Sequence, residues 1–376
     1  MGAVVLVCGV LGATFGAANA ARHAALVCPA SATLVGDAPP IGFRQWCVVR
    51  DGTGKLIPDG PMQEWHEEGW LKMTGRFERG LREGLWLEFD AQGHRILEAT
   101  YRADVLDGPY IGHGEDGTRY EGSFRQGQRD GTWRTFDSAG RRLAEGIMKG
   151  KVREGPWKVW LEDGLVAEGN YKADRREGRW TITSGGVKRA EGMYAGNVRH
   201  GAWTDFDDAG QLSAKGLFKD DQRHGKWTLF FVDGSKQAEG TYEANAKNGP
   251  WVEWVAPGKE RRRWEGAYQH GAKGGVWTHY HDNGKVLATG VLEVGKMHGT
   301  WVHNDETGKL AARGDYELGV RVGRWMEAGT NGGYFEGDYL RGERHGMWVA
   351  FSSDGERQGE LRYANGTRLD PVVAPR

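Results

Sequence analysis

The residues in this sequence that could do chemistry come in repeating settings. Glutamates stand directly before a glycine at Glu121, Glu145, Glu168 and Glu191, and histidines do so at His200, His224, His298 and His345. Paired carboxylates at one site can act as general acid, base or nucleophile. Clustered imidazoles can hold zinc. Arg261-Arg262-Arg263 is a local basic patch, but a net charge of −1 gives it no wider positive field with which to capture nucleic acid or lipid. The chain has no Gly-x-Ser-x-Gly elbow, His-Glu-x-x-His helix, P-loop or Cys-x-x-Cys pair.

These settings recur because the chain itself does. Gly-x-Trp, or a close variant, begins at Gly84, Gly108, Gly131, Gly155, Gly178, Gly201, Gly225, Gly249, Gly275, Gly299, Gly323 and Gly346, with a degenerate start at Gly60-Pro-Met62. That makes 13 units spaced by 23 to 26 residues. In the unit Gly155 to Glu177 an aromatic and β-branched run ends at the turn pair Asp163-Gly164, and Glu168-Gly-Asn-Tyr171 follows. The unit reads as strand, turn, strand. Four residues before each restart stands a residue that tolerates a left-handed backbone: Gly80, Asp104, Gly127, Asp174, Asn197, Asp221, Asn245, Gly271, Gly295, Gly319 or Gly342. The exception is Lys151, beside Gly150. A second tight turn there makes the whole an all-β, elongated, solenoid-like antiparallel meander of hairpins.

Equivalent residues in successive hairpins then lie about 10 Å apart. The glutamates are too far apart to share a proton, and a solvated or Arg-paired face is their expected role. The histidines are too far apart to share zinc and are expected in the turns. We therefore expect no catalytic, cofactor or metal residues.

The aromatics remain. Trp86, Trp133, Trp157, Trp180, Trp203, Trp227, Trp251, Trp277, Trp301, Trp325 and Trp348, interleaved with the Tyr or Phe after Glu-Gly, form the expected structural ladder, each Glu-Gly glycine leaving room for a ring. A second aromatic follows the first by three residues in nine units, at Trp65, Phe89, Phe136, Trp160, Phe206, Phe230, Trp254, Tyr280 and Phe351. Alternation puts it on the opposite face. Either this row is exposed, with Phe136, Trp160, Phe206 and Phe230 as the candidate partner-binding residues, or a bulge or curling of the sheet buries both rows.

The pattern resembles the MORN repeat (membrane occupation and recognition nexus). The residues that match are Glu121-Gly-Ser-Phe124, Glu191-Gly-Met-Tyr194, Glu239-Gly-Thr-Tyr242, Glu265-Gly-Ala-Tyr268 and Glu336-Gly-Asp-Tyr339. Joints such as Arg199-His-Gly-Ala-Trp203 and Arg344-His-Gly-Met-Trp348 are most similar to the bacterial YwqK-type variant, often labelled as toxin–antitoxin antitoxins. The resemblance covers roughly residues 59 to 366. It implies MORN-type hairpins and a membrane-associating, dimerising or partner-binding scaffold. Departures are Met62 and Tyr110 in place of tryptophan, and Thr289-Gly-Val-Leu292, which lacks the second aromatic and so interrupts the stripe.

With 61 Gly and 17 Trp among 376 residues, the composition fits neither a disordered segment nor a nucleic-acid binder. Residues 2 to 18 carry no charge and lead to Ala18-Asn-Ala20, which reads as a cleavable signal peptide over residues 1–20. A membrane anchor is the alternative, although the run is short against the roughly 20 residues that a span needs. After cleavage Cys28 and Cys47 would remain, favouring a disulfide in an exported chain and two free thiols in a cytosolic one. We read residues 21–58 as an N-terminal cap, 59–366 as the array and 367–376 as a tail ended by Asp370-Pro371 and Pro375. The expected function is non-enzymatic: protein binding or self-association in the periplasm or outside a bacterial cell, with membrane-surface contact less favoured. An antitoxin or immunity protein that neutralises a toxin is the alternative, and an enzyme is the third class.

Overall fold

The computed structural model describes residues 26–256 and 259–369. The expected leader, Ala18–Ala20 and Cys8 within it, and Asp370, Pro371 and Pro375 lie outside these residues. The described chain is all-β: 29 strands and one 3-10 turn at Glu162–Gly164. It divides into two compact units. The first holds the described residues through Leu161 together with Tyr171–Asp174, and the second holds Glu162–Asn170 and the described residues from Arg175 onward.

In the first unit, every ladder from Thr33–Val35 to Val152–Trp160 joins strands consecutive in the chain and runs antiparallel. The second unit repeats this from Arg175–Ser184 to Thr367–Arg368. Each is an open antiparallel meander.

Three backbone devices recur. Within a hairpin, an aspartate accepts amides across the loop: Asp137 Oδ1 takes those of Ala139 at 3.0 Å and Arg141 at 2.8 Å, while Gly140 turns the chain at φ 77°. Between hairpins, two residues suffice, both at positive φ, as in Ala103 (48°) and Asp104 (67°), the turn whose twist matches that of its strands. All eleven positions expected to be left-handed are so. The turn at Lys151 differs, its positive φ falling on Gly150. Each inter-hairpin turn also donates an amide to the preceding repeat, as from Asp104 to the Arg82 carbonyl at 3.0 Å and from Asp221 to that of Arg199 at 3.1 Å. The turns are thus clasped one to the next.

The third device was not anticipated. The glycine of Gly-x-Trp lies inside a strand, at φ 66° in Gly155 and 71° in Gly201. Gly146 faces Trp157 whereas the next residue, Ile147, faces Glu154, so the tryptophan strand carries two extra residues there. This corrects the reading of the histidines as turn residues: His200, His224, His298 and His345 lie within Val198–Phe206, Gln222–Phe230, Lys296–Asn304 and Glu343–Phe351, directly before the bulge glycine. The two-residue turn is complete before the chain reaches them.

At the N-terminal edge, Thr33–Val35 pairs with Arg44–Arg50, which pairs with Leu56–Trp65, the first strand of the array. Cys28 and Cys47 form a disulfide, and Cys47 is fully buried. A Cβ at Gly60 would press on Cys47, so the degenerate repeat start accommodates the bridge.

Candidate interaction surface

The tryptophan ladder seals itself. In the second unit Trp180, Trp227, Trp251, Trp277, Trp301, Trp325 and Trp348 are 0–1 % exposed, and in the first Trp86, Trp133 and Trp157 are 2–8 % exposed. Four contacts achieve this burial. The ring lies flat on a glycine of the neighbouring strand, as Trp227 does on Gly216, where a Cβ would fall inside the ring's van der Waals envelope. Tyrosines or phenylalanines stand edge-on at either side: Tyr242 lies 6.0 Å from Trp227 and 5.2 Å from Trp251. A cation stands over the outer face, as Arg223 does 4.5 Å from Trp227 and Arg344 4.5 Å from Trp348. Opposite the bulge, the indole N–H donates to a backbone carbonyl: Trp157 to Ile147 and Trp251 to Thr241 at 2.9 Å, and Trp227 to Leu217 at 3.0 Å. Trp203 departs, donating to Asp205 at 2.9 Å, and Trp86 Nε1 is buried without an acceptor.

The irregular repeats keep the pattern in part. Tyr110 takes its place between Phe124 at 5.1 Å and Trp133 at 5.8 Å. Leu292 interrupts the aromatic stripe as expected, yet it is buried, so apolar packing continues through the gap.

A polar row that sequence reasoning missed runs beside the ladder, two residues after the tryptophan. Glu253 accepts from the Tyr268 hydroxyl at 2.7 Å and pairs with Lys273 at 3.0 Å. Burial opposes its charge, but the Tyr268 bond, Lys273 and then Lys247 hold its carboxyl below the usual range. Burial and the same glutamate push Tyr268 up. His279 stacks on Trp264 at 4.1 Å. His303 lies between Trp301 and Trp325 at 6.2 and 6.1 Å, with the Tyr316 hydroxyl at 3.3 Å. Burial, and then the charge of Arg321, lower its pKa. Glu327 pairs with Arg321 at 3.0 Å and with Arg344. The signal was available as Trp-x-Glu and Trp-x-His in four successive repeats from Trp251 to Trp325. Each group is already engaged with partners in its own or a neighbouring repeat, and no cluster of three metal-ligating side chains forms among the described residues.

The opposite face is organised differently. The glutamates before the repeat glycines are ion-paired: Glu145 with Arg134 at 3.0 Å and Arg142 at 2.6 Å, Glu191 with Arg179 at 2.6 Å and Lys188 at 2.9 Å, and Glu121 with Arg119. The same cations lie against the second aromatic row. Phe136, in the first unit, is buried beneath Arg119 at 4.0 Å and Arg142 at 5.8 Å. Trp160, also in the first unit, is half-buried beside Arg142 at 5.5 Å and Lys158 at 5.4 Å. In the second unit Phe206 is half-buried by Lys188 at 5.4 Å and Phe230 by Lys215 at 5.5 Å. The four candidates therefore divide between two units, and each is partly covered by a cation. Apolar side chains that stand clear on this face form a third row, which flanks the glutamates and in the second unit includes Met193 (43 % exposed), Leu217 (44 %), Val276 (65 %), Val291 (38 %) and Met347 (39 %).

A self-sealed ladder, ion-paired repeat carboxylates and a second face of apolar and cationic rows describe a repeat array. The MORN repeat variant family matches residues 199–220 and 273–291, two stretches of the second unit. A comparison with curated proteins finds none that matches.

Proposed function

We propose that this protein is a non-enzymatic scaffold that binds another protein, or a second copy of itself, through the face opposite the tryptophan ladder. The observation that carries this reading is the contrast between the two faces. The ladder's rings are at most 8 % exposed, whereas Met193, Leu217, Val276 and Val291 stand 38–65 % exposed across the second unit's other face. Between them half-buried Phe206 and Phe230 extend the apolar area. Cations interleaved with this area suit a partner with acidic residues among apolar ones. The Cys28–Cys47 bridge supports an oxidising compartment, in keeping with an exported chain in the periplasm or outside the cell.

The test is the double variant Met193→Lys, Leu217→Lys. Neither side chain enters the ladder, so circular dichroism and Tm should stay at wild-type values, while self-association in sedimentation, or capture of a partner by envelope cross-linking, is lost. Unchanged association in a folded variant would overturn the assignment of this face. Capture of a toxin through it would make the protein the immunity-type member that the YwqK-type resemblance implies.

A further inference from the structure

One repeat puts a positive charge where three of its siblings put a carboxylate. In several repeats the cation over the ladder ring is itself held by an anion. Arg82 Nε donates to Asp104 at 2.8 Å, Arg153 to Asp174 at 2.7 Å and Arg199 to Asp221 at 2.9 Å. Farther on, Lys247 and Lys273 use Glu253, and Arg321 and Arg344 use Glu327. The three aspartates all occupy the turn position four residues before the next Gly-x-Trp. For Arg129, which stands 4.6 Å from Trp133, that position is Lys151. The residue two past its tryptophan is Thr135, and the place of the ladder tyrosine is taken by Met148, so neither alternative anion nor phenol is supplied. Arg129 has no carboxylate partner among the described residues, and it is exposed where Arg82, Arg153 and Arg199 are half-buried.

Beside it, within the first unit, the turns at Gly127 and Gly150 border a groove of about 690 Å³. Its lining includes Arg129, Lys149 and Lys151, with Phe124 and Val152 as apolar wall, and no carboxylate. The acid across the ladder from Lys149, Asp130, is taken by Arg125 at 3.0 Å. The volume lies within the range of small-molecule sites, roughly 300–1,000 Å³.

We propose that this groove binds a small organic dicarboxylate. One carboxylate occupies on Arg129 the place that the aspartate carboxylate occupies on Arg82, Arg153 and Arg199. The second lies between Lys149 and Lys151, and the carbon chain joining them rests on Phe124 and Val152. The sibling repeats supply the stereochemistry: one charge-assisted bond from arginine Nε to a carboxylate oxygen. The sequence supplies the vacancy by reversing the charge at a single turn position.

Calorimetric titration of the full chain with succinate at low ionic strength should give saturable binding with a stoichiometry of one. Lys151→Asp places a carboxylate at the turn position that Asp104, Asp174 and Asp221 hold in three sibling repeats, so it should fold and lose ten-fold or more in affinity. Should that variant fail to fold, Lys149→Gln with Lys151→Gln, which removes two charges and changes no glycine, should show the same loss. Absence of saturable heat with the wild type, or undiminished affinity in either folded variant, would overturn the site. Inorganic phosphate competing as well as succinate would overturn the carboxylate assignment, because the groove would then be selecting charge alone.

Discussion

The smallest unit of this fold is a glycine and a tryptophan on neighbouring strands, and neither can change without the other. Gly216 is flat enough for Trp227 to lie on it, and the indole reaches the Leu217 carbonyl at 3.0 Å because the bulge leaves that carbonyl opposite extra chain. Gly216→Ala should therefore push the ring off its bed and cost about 1–3 kcal/mol, while Trp227→Ala, which empties the site, should cost about 3–5 kcal/mol. Urea denaturation of both variants, followed on the second unit, checks the order. The role of such glycines was legible where Glu-Gly-x-Tyr marks them, since a large ring on the next strand needs bare backbone to lie against, although Gly216 itself stands in Lys215-Gly-Leu-Phe218. The indole's acceptor was not, because it depends on a register shift that spacing alone does not reveal.

His303 gives a pH dependence at the same scale. Burial first, and Arg321 second, lower its pKa from the ordinary 6.5, so the folded state prefers the neutral ring. Its contribution is present above pH 6.5 and is lost as pH falls through the lower folded value. Tm of the wild type should fall as pH drops below about 6.5, above the range of ordinary carboxylates at about pH 4, and His303→Gln should flatten that slope. An unchanged slope would mean that His303 is readily protonated in place.

At the scale of the element, turn and bulge glycines do different work from ladder glycines. Gly201 sits at φ 71° with open space where a Cβ would go, so Gly201→Ala is opposed by backbone strain alone. It should cost about 1–2 kcal/mol, and Gly201→Asn less, because asparagine tolerates that conformation; hydrogen exchange across Val198–Phe206 would report the local loss. The inter-hairpin turns could be read from sequence because Asp, Asn and Gly announce left-handed backbone. The bulge could not, since its glycine marks the start of a unit equally as well as an interruption within a strand, and that ambiguity put four histidines in turns. On the second face, alternation placed the aromatics correctly opposite the tryptophans. It could not show Lys188 or Arg142 folding back over them, because each cation's direction is set by the carboxylate it meets and not by its place in the repeat.

At the scale of the whole molecule, stability is a sum over neighbours, since every ladder within a unit joins consecutive strands. The Cys28–Cys47 bridge, with a sequence separation of 19, lies at the N-terminal edge of the first unit. Reducing it should cost the repeats beside it about 3 kcal/mol in the chain-entropy model. Hydrogen exchange should quicken in Arg44–Arg50 and Leu56–Trp65 and stay at its oxidised rate in the repeats after Arg175. Uniform quickening would show cooperativity that pairwise coupling does not provide.

The clasped turns carry a further consequence. Each inter-hairpin turn donates to the carbonyl one repeat behind it, Asp221 to Arg199 as Asp104 to Arg82, so the bond asks only that a repeat precede it and not which one. Spacings of 23 to 26 residues are all accommodated, the longest between Gly249 and Gly275. A gene built this way can gain or lose a cassette of some 24 codons by unequal recombination and still encode matching edges on either side of the joint. Copy number is then a heritable variable in its own right, and a surface can be lengthened or a defective unit discarded without a new fold having to evolve.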